Sequence, residues 1–135
     1  MKIVFVMNSE LPVGLIANAS AVLAISIGNK FSGIVGEIVT DGDGYIHEGI
    51  TNLSLPILKG NSSIITGLRK KLIELNDGNI FYVDFCDIAQ KSKDYSLYKQ
   101  RLEKTPSEEL NYLGIAIHGP AKVVTSLTGD LPLLK

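Results

Sequence analysis

Three short runs of β-branched and aromatic residues, separated by segments of helical period, constrain this chain most. They are Lys2–Met7 (KIVFVM), Asn79–Phe85 (NIFYVDF) and Tyr112–Ile117 (YLGIAI). A strand with one face in water alternates apolar and polar residues. A run that is apolar nearly throughout needs cover on both faces. The intervening segments supply that cover. Gly14–Gly28 repeats Leu15, Ile16, Ala19, Val22, Leu23 and Ser26 at three- and four-residue steps, the period of a helix. Strands alternating with helices predict a three-layer α/β/α domain around a mixed, mainly parallel sheet of at least four strands.

Turn chemistry divides the rest. Gly28 is a natural residue to end the first helix. Ile34–Thr40 reads as a strand, and Asp41-Gly42-Asp43-Gly44 before Tyr45-Ile46-His47 is a hairpin signal, because Asp and Gly tolerate positive φ. Leu53–Leu58 is a further strand candidate. Asn61, Ser62 or Ser63 can cap a helix running to about Leu75, with Ile64, Ile65, Leu68, Leu72 and Leu75 as its apolar stripe and Arg69, Lys70 and Lys71 on its wet face. Asp94–Lys104 reads as a helix, Thr105–Glu108 opens a short one around Pro106, and Ala121–Leu127 is a terminal helix stopped by Gly129. Leu131–Leu134 is an apolar tail.

The totals narrow the function classes. The chain of 135 residues, 45% hydrophobic and 20% charged, is expected to form a single domain over residues 1–135. A net charge of −1 does not favour a nucleic-acid partner, since phosphate binding draws on Lys and Arg. One cysteine, Cys86, cannot form an internal disulfide and fits a reducing, cytoplasmic setting. Met1–Val6 is short for a signal-peptide core, so the N-terminus is expected to be mature as written. Val13–Ile27, broken by Asn18, Ser20 and Ser26, is short for a bilayer span, and no membrane association is expected.

Two segments together resemble the peptidyl-tRNA hydrolase type II fold. One is Lys2–Met7, Glu10-Leu11, Gly14 and Ala17-Asn18-Ala19. The other is Gly114-Ile115-Ala116-Ile117-His118-Gly119-Pro120 followed by Thr128-Gly129-Asp130-Leu131. Over nearly the full length, Asn8-Ser9-Glu10-Leu11-Pro12-Val13-Gly14-Leu15, Gly49-Ile50-Thr51-Asn52-Leu53 and Leu131-Pro132-Leu133-Leu134 resemble the family called domain of unknown function 2000. The resemblance implies the hydrolase-type fold and pairing into a homodimer.

The departures from the enzyme are concentrated on one helix face. The resemblance places its catalytic lysine on Leu15, its glutamine on or near Ala19 and its histidine on Val22. Leucine cannot act as a point charge toward a phosphate or an ester. The enzyme's acid falls on either Asp84 or Asp87, and the threonine that follows it there is missing. Two insertions, Ile34–His47 and Tyr95–Leu110, lie in connections and are expected to cover the mouth of the old site.

Several residues remain as candidates. Ser9, Glu10 and Gly14 sit where a helix N-terminus could receive an anion, or where Ser9 or Glu10 simply caps the helix. Asn18, Thr51 and Asn52 could recognise a ligand or lock loops. Asp84 and Asp87 could act as general acid or base, or Asp87 could cap a helix. His47 and His118 are too far apart for a metal centre, Asp41 and Asp43 lack the rest of a calcium loop, and no cofactor is expected. Cys86 reads as buried and inert. Two functional readings follow. One is a small-molecule or protein-binding domain that has lost the hydrolase chemistry. The other is a hydrolase rebuilt around Asp84 or Asp87, with Asn18 and Asn52 joined to it in one pocket.

Overall fold

The sheet is built around two buried central strands, β1 (Lys2–Asn8) and the last strand of the chain, Tyr112–Gly119, which is buried at all eight positions. The computed structural model describes residues 1–135. In chain order the elements are β1, α1 (Val13–Lys30), β2 (Val39–Thr40), β3 (Ile46–His47), β4 (Ile57–Gly60), α2 (Ser62–Leu75), β5 (Phe81–Cys86), α3 (Asp87–Lys91), α4 (Tyr95–Glu103), a 3₁₀ turn (Ser107–Glu109), β6 (Tyr112–Gly119) and α5 (Ala121–Thr128). Four strands form one mixed sheet in the order β4-β1-β6-β5, and β2 and β3 form a separate two-stranded ribbon.

The four strands and their mixed directions agree with the expectation, but the sheet is not mainly parallel in its pairing. Only β1 and β4 pair in parallel; β6 runs antiparallel to both β1 and β5. Burial on both faces is what a parallel strand and a central antiparallel strand have in common, so an apolar run carries no information about direction.

Side-chain alternation along β1 divides the core in two. Ile3, Phe5 and Met7 meet Ala19, Leu23 and Ile27 of α1 on one face. Val4 and Val6 meet Ile115, Ile117, Ile65, Leu68, Leu72 and Val124 on the other, so α2 and α5 lie opposite α1. Each such side chain, fully removed from water, contributes about 1.5–3 kcal/mol before its ordering cost is counted.

Five local expectations are corrected. Gly28 does not end α1; the helix continues to Lys30, and the left-handed turn comes at Gly33, with φ of 85°. One glycine costs a helix only ~1 kcal/mol, less than the packing of Ile27 against the sheet contributes. At 18 residues, α1 is long and apolar enough by composition to cross a membrane, contrary to the shorter span read from the sequence; here its Ala19–Leu23–Ile27 line faces the sheet. The expected strand Ile34–Thr40 is extended only at Val39–Thr40, and Leu53–Leu58 is replaced by Ile57–Gly60. Of the α2 stripe, Ile65, Leu68 and Leu72 are buried, whereas Ile64 and Leu75 are exposed. A narrow stripe suffices because the helix packs on a flat sheet face.

The expected start of α2 is met. Asn61 accepts a hydrogen bond from the Ile64 N–H at 2.8 Å, and Asn76 closes the helix in the left-handed conformation. Asn61→Ala is expected to lower stability by about 1 kcal/mol, measurable as a lower urea midpoint with unchanged slope. The apolar tail covers a sheet edge. The Lys59 N–H donates to the Pro132 carbonyl and the Leu134 N–H to that of Ile57, at 2.8 and 2.9 Å, so β4 presents no open edge on that side.

Candidate functional site

The structure does not gather the residues singled out from the sequence. Asn18 is exposed on α1. Asp84 points to the opposite face of the sheet, since Val83 and Phe85 pack toward α1 and Tyr82 and Cys86 toward α2. Thr51 and Asn52 lie in a third place, below the β2–β3 ribbon. The Thr51 hydroxyl donates to the Leu53 carbonyl and accepts from the Leu53 N–H, while the Asn52 amide donates to the Gly33 carbonyl at 3.0 Å. No single pocket joins Asn18, Asn52 and an acid.

The turn before α1 also differs from the expectation. Neither Ser9 nor Glu10 caps the helix. Pro12 occupies the cap position without a side-chain bond, the Ser9 hydroxyl donates to the Gly60 carbonyl, and Glu10 donates its N–H to the Asn8 side chain. Gly14 is exposed with open space around it. On the helix face of Leu15, Ala19 and Val22, Ala19 is fully buried and Leu15 and Val22 are half-buried. A groove of about 850 Å³ does run beside the start of α1, lined by Ser9, Leu11, Val13, Ile16 and the tail, but Leu15 is not in its wall.

The two acids have separate surroundings. Asp87 is the first residue of α3 and ties that helix to the strand beyond it. It accepts from the Ile88 and Asn111 N–H groups at 3.0 and 3.2 Å and from the Asn111 amide at 3.3 Å, and its own N–H donates to the Asn111 carbonyl. Its carboxylate is occupied in holding the chain. Asp84 instead faces a cleft, where it accepts a hydrogen bond from Arg69 Nε at 3.0 Å.

That cleft has a volume of about 510 Å³, within the ~300–1,000 Å³ of small-molecule sites. Strand β5 forms its floor through Tyr82 and Asp84. Arg69 of α2 and Tyr112 of β6 form one wall, and Tyr98 and Leu102 of α4 the other. The rim is Thr105, Ser107 and Leu110. The inserted stretch Tyr95–Leu110 therefore builds this cleft. It does not cover the α1 face, as the sequence suggested, because its apolar side packs with the α2 core. The ribbon is likewise absent from the groove beside α1.

The electrostatics of the cleft follow from partial burial. Burial alone would lower the Arg69 pKa, but the Asp84 hydrogen bond and charge outweigh it and hold the guanidinium above its ordinary value. The guanidinium also lies 6.0 Å from the centre of the Tyr112 ring. Burial pushes the phenols of Tyr98 and Tyr112 up, so both remain neutral donors through the physiological range. Cys86 is buried as expected, and burial raises its thiol too.

Arg69, Tyr82, Tyr98 and Tyr112 were not read as site residues. A signal for Arg69 existed. It lies four residues after Ile65 and three before Leu72, at the border of the buried stripe and not on the far side of the helix. Period-two alternation places Tyr82 and Asp84 on one face of β5.

No curated protein matches the chain. The family described as "Protein of unknown function (DUF2000)" matches it over residues 1–135. The chain belongs to the DUF2000 family. Among solved structures, this DUF2000 chain is similar to the one titled "Structure of Protein of Unknown Function Atu0240", from Agrobacterium tumefaciens str. C58. The TM-score is 0.86 at 17% identity, covering 99% of this chain and 97% of that one. At that identity the likeness is one of fold.

Proposed function

We propose that this protein is a small-molecule-binding domain on a three-layer, peptidyl-tRNA hydrolase type II-like fold, without that enzyme's chemistry. The observation that carries the reading is the cleft in which Arg69, Asp84 and three tyrosines converge. Pockets that bind small ligands combine apolar walls with a few fixed polar groups. Here the ion pair fixes its own geometry and cancels its own charge. It offers the ligand the guanidinium N–H groups not used on Asp84 and the second carboxylate oxygen, side by side. Neutral phenols add donors and flat surfaces. A planar ligand of no net charge, with adjacent donor and acceptor groups, suits this lining best.

The absence of hydrolase chemistry rests on Leu15 and on Ala19. One is apolar where the enzyme needs a cation, and the other has no side-chain volume to give. The alternative of a rebuilt hydrolase loses its main support with the separation of Asn18 and Asn52 from both acids.

The test is a thermal-shift survey of neutral planar heterocycles, carboxylates and phosphate esters, with peptidyl-tRNA cleavage assayed alongside. At ten times its dissociation constant a ligand stabilises by about 1.4 kcal/mol, a shift of about 5 °C for a domain of this size. A neutral heterocycle is expected to give that shift, and Arg69→Met and Tyr98→Ala are each expected to abolish it. Shifts indifferent to both substitutions, or peptidyl-tRNA turnover that Asp84→Asn removes, would overturn the reading.

A further inference from the structure

The β2–β3 ribbon is the tip of an arm that packs against nothing in its own chain. All fourteen residues from Val35 to Glu48 are exposed. The two strands contact each other and no other element to any extent. A lone two-stranded hairpin is marginal in water, yet this one is drawn from an apolar sequence. Val35, Ile38, Val39, Tyr45, Ile46 and Ile50 are 58–79% exposed. Its path is nevertheless well specified. Gly36 and Asn52 donate their N–H groups to Ile50 and Ile34 at the base, and a side chain at Gly49 would overlap the Gly36 carbonyl. Asp41 closes the tip by accepting from the Asp43 and Tyr45 N–H groups and pairing with His47 at 2.8 Å. The backbone is thus held for a surface that has no partner inside the protomer.

A second unpartnered surface lies on α1. This helix is apolar on more than one side. Its Ala19–Leu23–Ile27 line faces the sheet, but Val13, Ala17, Ala21 and Ile25 follow one another at four-residue steps on the outside, with Val13 83% and Ile25 72% exposed. A helix that is apolar all round is normally covered all round. The arm starts beside α1, since Ile34 at its base packs in the same core group as Leu23 and Ile27.

We infer that the arm of one copy lies across the outer α1 ridge of a second copy, and the reverse, in a two-fold dimer. Area favours a second copy as the occupant. The six arm side chains expose roughly 750 Å² per copy, against the ~800 Å² that each partner of a stable complex buries. Two copies related by a two-fold axis place two arms on two ridges, so both unpartnered surfaces are covered in one closed assembly.

The experiment is sedimentation equilibrium of the full chain, with Ile46→Asp on the arm and Ile25→Asp on α1. Both residues are exposed in the protomer, so folding is retained, as far-ultraviolet circular dichroism at low concentration will confirm. The unaltered protein is expected at twice 14.6 kDa. Each substitution is expected to weaken association at least 100-fold. A further check is disulfide cross-linking between an arm cysteine in one copy, Val39→Cys, and an α1 cysteine in a differently tagged copy, Ala21→Cys, which is expected to join the two tags. Monomers throughout the micromolar range would overturn the inference, as would a dimer indifferent to both aspartates. So would a monomer that floats with phosphatidylcholine–phosphatidylglycerol vesicles and loses that binding in both variants, since the surface would then serve a membrane.

Discussion

Replacing Ala19 with glutamine, the residue that the hydrolase resemblance places there or next to it, is expected to destabilise the protein by about 2–6 kcal/mol. Ala19 has no exposed surface and lies where α1 packs against the odd-numbered residues of β1. Four added heavy atoms beyond the methyl group must be fitted into a close-packed interior, a cost of about 1–3 kcal/mol. The amide would then be buried among apolar groups without a partner, which adds about 1–3 kcal/mol. Against a total stability of about 5–15 kcal/mol for a domain, the variant should be largely unfolded in mild denaturant. Leu15→Lys is the informative contrast. Leu15 is only half-buried, so a lysine can turn its ammonium to water along its own stem, and a loss below about 1 kcal/mol is expected. Urea midpoints for the two variants measure the difference. If Ala19→Gln proved as mild as Leu15→Lys, this face would be an adaptable cavity and not core, and the case against hydrolase chemistry would weaken with it.

The second large effect concerns the Arg69–Asp84 pair. Their side chains are 31% and 24% exposed and 3.0 Å apart, so both charges have given up most of their water. Removing one partner leaves the other partly desolvated and unpaired. Arg69→Met and Asp84→Leu are each expected to cost about 2–3 kcal/mol, discounted from the ~3–5 kcal/mol of fully buried pairs because some solvent screening remains. The double variant removes both charges together. It should recover most of the loss, to within about 1 kcal/mol of the original, because a well-packed apolar pair often matches an ion pair in stability. A double-mutant cycle by denaturant titration therefore gives a coupling of about 2 kcal/mol or more. If the two losses simply added, the pair would carry no mutual dependence, and its role in holding the cleft would fall.

This cycle also separates structure from binding. A double variant that is stable yet gives no ligand-induced shift would show that the pair is retained for recognition. A protein can do without a half-buried ion pair for folding far more easily than for orienting a polar ligand.

Much of the architecture was legible in the chain because it depends on local period. The apolar runs at Lys2–Met7, Asn79–Phe85 and Tyr112–Ile117 became β1, β5 and β6 with only small shifts of boundary, and Asn61 capped its helix as its side chain allows. The misplacements occurred where local signals compete with packing. Gly28 looked like a helix end, but packing of Ile27 on the sheet carried α1 past it. Ile34–Thr40 looked like a strand throughout, but only Val39–Thr40 pairs, because the arm leaves the body there.

The cleft was legible only in fragments. Asp84 was singled out as one of two alternative acids with Asp87, and Arg69 was read as one of three cations on a wet face. Their meeting joins residues fifteen positions apart, on a helix and the following strand. Tyr98 and Tyr112 come from still later elements. No periodicity within one segment encodes such a meeting.

The apolar face at Leu15 was evident from the amino-acid sequence alone, because it depends only on which residue types recur at three- and four-residue steps. The apolar runs of the strands and the helix stripes followed from the same local rule. The direction of β6, the fate of that face, with Ala19 in the core and Leu15 at its margin, and the pairing of Arg69 with Asp84 on the far side of the sheet were decided by tertiary structure. Each depends on which elements are brought side by side, and burial, which the sequence pattern does record, is the same whichever neighbour supplies it.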